Sequence, residues 1–345
     1  MEKLENLPDN VLFDDIRLLI EETKIYVSKT LSTSVTAMYW NIGKRINNEV
    51  LYNTRAEYGK QIVATLSRQL IIEYGNNYEV KNLRRMMQFA QVFNDAEIVA
   101  TLWRQLSWSH FKLLIPLKND LSRDFYAQMC CIEDWNVKTL HSKINSMLFE
   151  RTAISQKPEE LIKTELQTLR ESKKLTPDFV FREPYILDFL GLKDTYSEKD
   201  LEQAVLLDIE RFILELGVGF SFVARQKRMI IDGEDYHLDL LFYHRKLKRL
   251  VAIDLKIGKF EPAYKAQMEL YLRWLEKYET EADEQKPIGL ILCASKSTEL
   301  IELLQLDKTN IKVAEYFTEF LPEKLLKQKL HQFMAASKKR LDNHE

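Results

Sequence analysis

Two short apolar runs joined by a basic turn place the strongest constraint on how this chain folds. The first run is YHLDLLFYH at residues 236–244, and the second is LVAIDLK at residues 250–256. Both runs are rich in aliphatic and aromatic residues, which favour β-strands. The turn between them is centred near Lys246 and Leu247. The two runs are therefore predicted to pair as antiparallel strands of a hairpin.

The register of this predicted hairpin brings two carboxylates together. Pairing about the turn joins residues whose numbers sum to about 493, so that Asp239 faces Asp254. Directly opposed residues of an antiparallel pair hold their Cβ atoms roughly 4.5–5.5 Å apart. Lys256 leaves the same strand face as Asp254, because side chains alternate along a strand. A slip of one residue would move the carboxylates to opposite faces.

Two carboxylates this close indicate a metal site. They repel each other unless one is protonated or a cation lies between them, and Mg²⁺ or Mn²⁺ can activate a water for attack on a phosphodiester. Lys256 would then orient or deprotonate that water, or stabilise the charge that builds on the phosphate. The alternative is that Asp254 and Lys256 lie on the solvated face of an ordinary strand. The apolar run VAIDL favours the metal site, because an unpaired carboxylate is costly in a covered strand.

Stretches across nearly the whole chain match one known family. In the C-terminal half they are TPDFVF at 176–181, PYILDFLGL at 184–192, FILELGVGFSFVARQKR at 212–228 and the block at 237–272. In the N-terminal half they are NIGKRI, RAEYGKQIV, NLRRM, TLWRQLSWSHF and MLFERTAIS. On these stretches the chain resembles the YhcG-type family of the PD-(D/E)XK nuclease superfamily, together with that family's helical N-terminal domain.

The resemblance implies a site and an activity. Asp239 and Asp254 would bind the metal and Lys256 would activate water, while a glutamate on the preceding helix often completes such a site. The implied activity is that of a Mg²⁺-dependent endodeoxyribonuclease in bacterial genome defence, DNA recombination or DNA repair. The alternative is a non-catalytic protein that uses the nuclease fold as a scaffold to bind nucleic acid or a partner. Cleavage of structured RNA is not excluded by any residue of the chain.

Two helices are predicted to flank the strands. The first begins at Ser197, where Ser197 and Asp200 resemble a capping box, and its apolar stripe continues to Leu216. The second begins at Pro262.

These helices contain further candidate site residues. Glu202 and Glu210 both flank the stripe of the first helix, and the family pattern favours Glu202 because it lies nearer the start. On the second helix, Gln267 and Tyr271 are one turn apart and share a face. Gln267 would hold Lys256 or the water, and Tyr271 would touch the sugar-phosphate or belong to the core.

The order of elements predicts an α/β domain. A helix, three strands, a helix, the strand PIGLILCA, the helix SKSTELIELL and the strand NIKVAEYF follow one another from residue 197. This is the order expected of a PD-(D/E)XK-like fold, with a mixed sheet flanked by helices. The remaining pattern predicts an all-α N-terminal domain at residues 1–160 and the nuclease-like domain at residues 161–345.

The N-terminal half contains a candidate DNA-reading motif. A break at 75–77 separates two predicted helices, and the second carries Arg84 and Arg85 beside an apolar face. This pattern is compatible with a helix-turn-helix DNA reader and equally with any helical bundle, which would bind a protein partner instead. In the C-terminal half, phosphate contact is expected from Arg225, Lys227, Arg228, Lys259 and Tyr271.

Composition limits the remaining possibilities. The formal net charge of −2 gives no general attraction to nucleic acid, so DNA binding must come from local patches. Three cysteines form no metal-ligand spacing and no disulfide framework, and no segment reads as a signal peptide or membrane span. We therefore expect a cytoplasmic protein without a membrane partner. Because each chain has one site, double-strand cleavage would require a homodimer.

Overall fold

The computed structural model describes residues 9–52, 56–192, 195–306 and 309–319, together with Leu325, Leu326, Gln328 and Leu330. The chain divides into two units between Ile144 and Asn145. This division precedes residue 160, where the sequence places the domain boundary. Residues 145–160 belong to the second unit. Within the described residues, no helix combines the length and apolar character that are needed to cross a membrane.

Within its described residues, the first unit consists of helices joined by turns and contains no strand. Its helices are α1 (Asp9–Tyr52), α2 (Ala56–Tyr74), α3 (Val80–Val92), α4 (Ala96–Trp103), α5 (Trp108–Leu114), α6 (Asp120–Glu133) and α7 (Val137–Asn145), the last of which crosses the division by one residue. A short 3₁₀ turn at Asn76–Tyr78 separates α2 from α3. On α3 the buried residues include Leu83, Met86 and Ala90, while Arg84 is exposed and Arg85 is half-buried.

Helices α1 and α3 pack closely because of a glycine. A Cβ atom on Gly43 would lie 1.9 Å from the backbone oxygen of Met86, which is far inside van der Waals contact. Side chains of α1 also bind this region, since Trp40 Nε1 donates to the Phe93 oxygen and Asn47 Nδ2 donates to the Met87 oxygen, both at 2.8 Å. The absent side chain at Gly43 thus allows α1 to approach the backbone of α3.

Replacing Gly43 with alanine is expected to destabilise the first unit by about 1–3 kcal/mol, because the two backbones must move apart. The free energy of unfolding from urea curves measures this loss. Asn41→Ala is the control, because Asn41 is an exposed residue of the same helix. Equal stability of Gly43→Ala and the wild type would show that α1 and α3 do not pack this closely.

The second unit contains a six-stranded mixed sheet. Its helices are α8 (Leu148–Arg151), α9 (Glu159–Ser172), α10 (Pro177–Val180), α11 (Glu198–Leu207), α12 (Ile209–Leu216), α13 (Pro262–Tyr278) and α14 (Thr298–Leu303). Its strands are β1 (Tyr185–Ile186), β2 (Phe220–Ile231), β3 (Glu234–His244), β4 (Arg249–Leu255), β5 (Ile288–Cys293) and β6 (Ile311–Phe317). The strand order is β1-β6-β5-β4-β3-β2, with β2, β3 and β4 antiparallel and the other neighbours parallel. The predicted α/β fold class is confirmed.

Both faces of the sheet are covered. Leu201 and Phe212 of α11 and α12 pack with Val251 and Ile253 of β4 in one apolar cluster. On the other face, Met268, Tyr271 and Leu272 of α13 pack with Ala252 of β4. Strand β4 is therefore buried on both sides, which explains its nearly continuous apolar sequence.

The helix predicted to run unbroken from Ser197 to Leu216 is two helices. Its start is confirmed, because Asp200 N–H donates to Ser197 Oγ at 3.2 Å and Ser197 N–H donates to Asp200 Oδ2 at 2.9 Å. The backbone then leaves the helical region at Asp208, with φ −120° and ψ 43°, so α11 ends at Leu207 and α12 begins at Ile209. Apolar residues on both sides of the break still pack into the same cluster, which is why the periodicity of the sequence conceals it.

Candidate active site

Strands β3 and β4 pair in the register that the sequence predicts. Leu240 lies opposite Ile253 and Leu241 lies opposite Ala252, so the residue numbers of each pair sum to 493. The regular pairing ends just before Asp239 and Asp254. At that point the Asp239 side chain binds β4 directly, because its Oδ2 accepts a 2.8 Å hydrogen bond from Leu255 N–H. The hairpin therefore places the two aspartates beside each other.

Asp254 is a buried carboxylate with an altered pKa. It is only 2% exposed, and Lys256 Nζ lies 3.0 Å from its Oδ2 in an ion pair. Burial raises the pKa of Asp254 to about 7; the charge of Lys256 opposes this rise and the nearby Asp239 adds to it. Lys256 is therefore the partner of the buried Oδ2 of Asp254. A carboxylate oxygen has more than one lone pair, so a cation could bind beside the ammonium.

Lys256 lies directly after β4 and is held from several sides. It is 9% exposed, its Nζ is 3.9 Å from Glu198 Oε2, and the same atom lies 5.1 Å from the ring centre of Tyr264. Burial lowers the pKa of Lys256, but the charge and hydrogen bond of Asp254 together with the charges of Glu198 and Asp239 outweigh burial, so the pKa is raised overall. The side chain is therefore an ammonium ion at neutral pH.

A glutamine outside the predicted set of site residues joins two acidic side chains. Gln226 Nε2 donates hydrogen bonds to Glu202 Oε2 at 2.8 Å and to Asp239 Oδ1 at 3.2 Å. Glu202 is therefore linked to the aspartate pair. Glu210 is exposed on α12, and no contact between it and either aspartate occurs within the described residues. Burial raises the pKa of Glu202; the hydrogen bond from Gln226 opposes this rise and the charge of Asp239 adds to it.

The sequence does contain a pattern that predicts where Gln226 lies. Asp232 and Gly233 both have positive φ, at 51° and 83°, as a two-residue hairpin turn of this kind requires. The turn pairs Ile231 with Glu234, and the same register continues through Arg225 opposite Leu240. A hairpin centred on the Asp-Gly pair therefore predicts Gln226 beside Asp239.

Gln267 and Tyr271 contact each other and not Lys256. Gln267 Nε2 donates to Tyr271 Oη at 2.6 Å, and Tyr271 Oη donates to the His237 oxygen at 3.2 Å. Tyr271 is only 1% exposed and belongs to the core between α13 and the sheet. Of the two alternatives for Tyr271, its burial and the hydrogen bond of its hydroxyl favour a place in the core over contact with the sugar-phosphate.

The predicted phosphate-binding residues fall into two groups. Lys227 pairs with Glu279 at 2.7 Å, and Arg228 binds Asp235 through two contacts at 2.7 and 3.0 Å, so both cations already have an acidic partner. Arg225 and Lys259 are exposed. Burial raises the pKa of Glu202 overall, and the positive charge of Arg225 opposes this rise, so Arg225 acts on the acidic group.

The donor set suits a hard divalent cation. Within the described residues, no three histidine, cysteine or acidic side chains converge as a closed metal cage. Mg²⁺ does not require one, because it is usually held by one or two carboxylates together with waters and substrate phosphates. Asp239 and Asp254 supply two carboxylates, and the Oδ2 of Asp254 is buried and paired with the ammonium of Lys256. The residues present therefore fit such an ion.

Comparison with known proteins identifies the family. Residues 178–331 match the model of the YhcG PDDEXK nuclease domain, and residues 15–151 match the DUF1016 N-terminal domain. Over 315 residues the chain is 34% identical to "Putative nuclease YhcG" of Escherichia coli (strain K12), covering 83% of each chain. The chain belongs to the YhcG family. Both halves of this YhcG family member therefore have recognised counterparts, as the resemblance in the sequence predicts.

Solved structures also show limited likeness to this YhcG family member. A repair endonuclease from Pyrococcus abyssi is 23% identical with a TM-score of 0.26, covering 38% of this chain and 50% of that chain. Structures titled EndoMS in apo form and EndoMS-dsDNA2 complex are 18% and 19% identical, each with a TM-score of 0.25, covering 38% of this chain and 48% of theirs.

Proposed function

We propose that this chain is a divalent-metal-dependent endonuclease that hydrolyses phosphodiester bonds in DNA. The observation that supports it best is a buried Asp254 with a pKa near 7, placed beside Asp239 and Lys256. An ion pair with a purely structural role would need one carboxylate and one ammonium. This site has a second carboxylate, Asp239, which raises the pKa of Asp254 further. An arrangement that is unfavourable without a cation is a mark of a functional site.

The residues of the site have distinct roles in the proposed reaction. Asp239 and Asp254 would hold the cation, which when bound neutralises their charges and polarises the phosphate. Lys256, whose raised pKa keeps it charged, stabilises the negative charge on the phosphate oxygen and orients the water. Glu202 Oε2 is bonded to Gln226, so its Oε1 would be left to complete the site around the cation.

The direct test is incubation of the purified full chain with supercoiled plasmid, single-stranded DNA, duplex DNA, branched DNA and RNA. Each substrate is tested with Mg²⁺, with Mn²⁺ and with a chelator. We expect at least one DNA substrate to be cleaved, and this cleavage should require the cation. Cleavage of RNA alone would correct the substrate, and an absence of metal-dependent cleavage from every substrate would favour the non-catalytic alternative.

We also propose that α3 of the first unit contacts DNA, since Arg84 is exposed on the helix that follows the Asn76–Tyr78 turn. Replacing Arg84 and Arg85 with alanine is expected to weaken DNA binding. It should also reduce the slope of log affinity against log salt by about 2, because each phosphate contact contributes about 0.9. Fluorescence anisotropy over a range of salt concentrations measures both quantities.

The control for this experiment removes the same charge elsewhere in the first unit. Arg104 and Lys118 are both exposed, and the double variant Arg104→Ala/Lys118→Ala should leave the salt slope nearly unchanged. If the two double variants behave alike, α3 has no special contact with DNA and the first unit serves another purpose.

A further inference from the structure

Gln226 occupies an unusual position in β2. The residues on either side of it pair regularly with β3, as Arg225 lies opposite Leu240 and Lys227 lies opposite Leu238. Gln226 itself has φ 44°, in the left-handed region that non-glycine residues seldom adopt within a strand. Such a conformation persists only when the surrounding structure enforces it, and it is concentrated at functional sites. The backbone of β2 is therefore distorted at the residue whose side chain binds two acids.

We infer that Gln226 is a positioning residue, which holds Glu202 and Asp239 in the arrangement that a divalent cation needs. This inference rests on the proposed nuclease function. Two neighbouring carboxylates repel each other, and a single amide nitrogen that donates to both draws them together. Gln226 acts through these two side chains, and it has no assigned contact with the cation or the substrate.

The hydrogen bonds of Gln226 are compatible with a bound cation. A carboxylate has about four lone-pair directions on its two oxygens. Gln226 uses one on Glu202 Oε2 and one on Asp239 Oδ1, and Leu255 N–H uses one on Asp239 Oδ2. Each oxygen retains a lone pair for the ion. The hydrogen bonds from Gln226 can therefore persist when the ion binds. Glu202 and Asp239 are thus held in position before the ion arrives.

Three separate elements are joined by this contact. Glu202 belongs to α11, Asp239 to β3 and Gln226 to β2. Without the amide, Glu202 loses its hydrogen bond to β2. Residues that orient metal ligands in this way typically contribute 10–100-fold to metal affinity.

The test measures binding of Mn²⁺ alone to the full chain, by calorimetry and by the rise in Tm with Mn²⁺ concentration. Gln226→Met keeps the length of the side chain and removes the amide, and Gln226→Ala removes both. We expect both variants to bind Mn²⁺ about 10–100-fold more weakly than the wild type. Asp239→Ala removes a proposed ligand, so the Mn²⁺ binding that this variant loses is the binding at the proposed site. Gln203→Met is the control, because Gln203 is an exposed glutamine next to Glu202.

A cleavage assay adds a second readout. In Gln226→Met, the Mn²⁺ concentration for half-maximal cleavage should rise by the same factor, while the rate at saturating Mn²⁺ stays within about threefold. If Gln226→Met binds Mn²⁺ as the wild type does, Gln226 only fills space and the inference is wrong while the nuclease proposal stands. If the wild type binds no Mn²⁺, the proposed function fails, and the inference fails with it.

Discussion

Replacing Lys256 with alanine is expected to lower the rate of DNA cleavage by about 10²–10⁴-fold at saturating metal and DNA. The ammonium lies 3.0 Å from Asp254 Oδ2, so it is positioned next to the carboxylate proposed to hold the cation. Its removal takes away both the group that orients water and the charge that stabilises the phosphate. Nicking of supercoiled plasmid under single-turnover conditions measures the effect.

The control for Lys256 is Lys286→Ala, which removes an exposed lysine elsewhere in the second unit. It should cleave like the wild type. Lys256→Ala should retain DNA affinity and a folded circular dichroism spectrum, so that the lost rate reflects chemistry. Cleavage by Lys256→Ala within about threefold of the wild type would remove this residue from the mechanism.

The stability of the metal-free protein is expected to fall as pH rises from about 4 to about 7, because of Asp254. Its pKa is about 7 in the folded chain against 3.8 ordinarily, so the folded state retains a proton that the unfolded state releases. The stabilisation is complete below the unfolded pKa and is lost as pH rises through the folded pKa. A shift of about three units corresponds to about 4 kcal/mol.

Asp254→Asn isolates this effect, because asparagine stays neutral at every pH. The free energy of unfolding from urea curves, taken as the variant minus the wild type, should increase by up to about 4 kcal/mol as the pH rises from 4 to 8. Asp283→Asn, at an exposed position, is the control and should show no comparable gain. At pH 8, adding Mn²⁺ should stabilise the wild type and have little effect on Asp254→Asn. A constant difference between variant and wild type across this pH range would contradict the altered pKa.

The spacing of neighbouring residues was sufficient to predict the centre of the candidate active site. The hairpin between β3 and β4 has a short turn and a period of two, and both are properties of neighbouring residues. For that reason the register, in which the numbers of paired residues sum to 493, was predictable. Asp239, Asp254 and Lys256 could therefore be named together. The capping box at Ser197 was predictable for the same reason, because it involves residues three apart.

Contacts between distant residues were not predictable in this way. The ion pair of Lys227 with Glu279 joins β2 to the end of α13, and it shows that a basic residue near the site already has a partner. Tyr271 has the spacing of a site residue, but the packing of α13 on the sheet buries it. Burial depends on which helix covers which face, and that is a property of the whole fold.

The sequence by itself determined the fold class, the family, the order of the strands after residue 197 and the closeness of the two aspartates, because periodicity, turns and motifs are local features of the chain. Only the tertiary structure decided that Glu202 and not Glu210 is linked to them, and that Gln226 makes this link. The physical reason is that the altered pKa of Asp254 and the bridge through Gln226 depend on burial and on contacts between separate elements. The turn at Asp232 and Gly233 places Gln226 beside Asp239, but no spacing along one segment specifies the contact of Gln226 with Glu202 or the burial of Asp254.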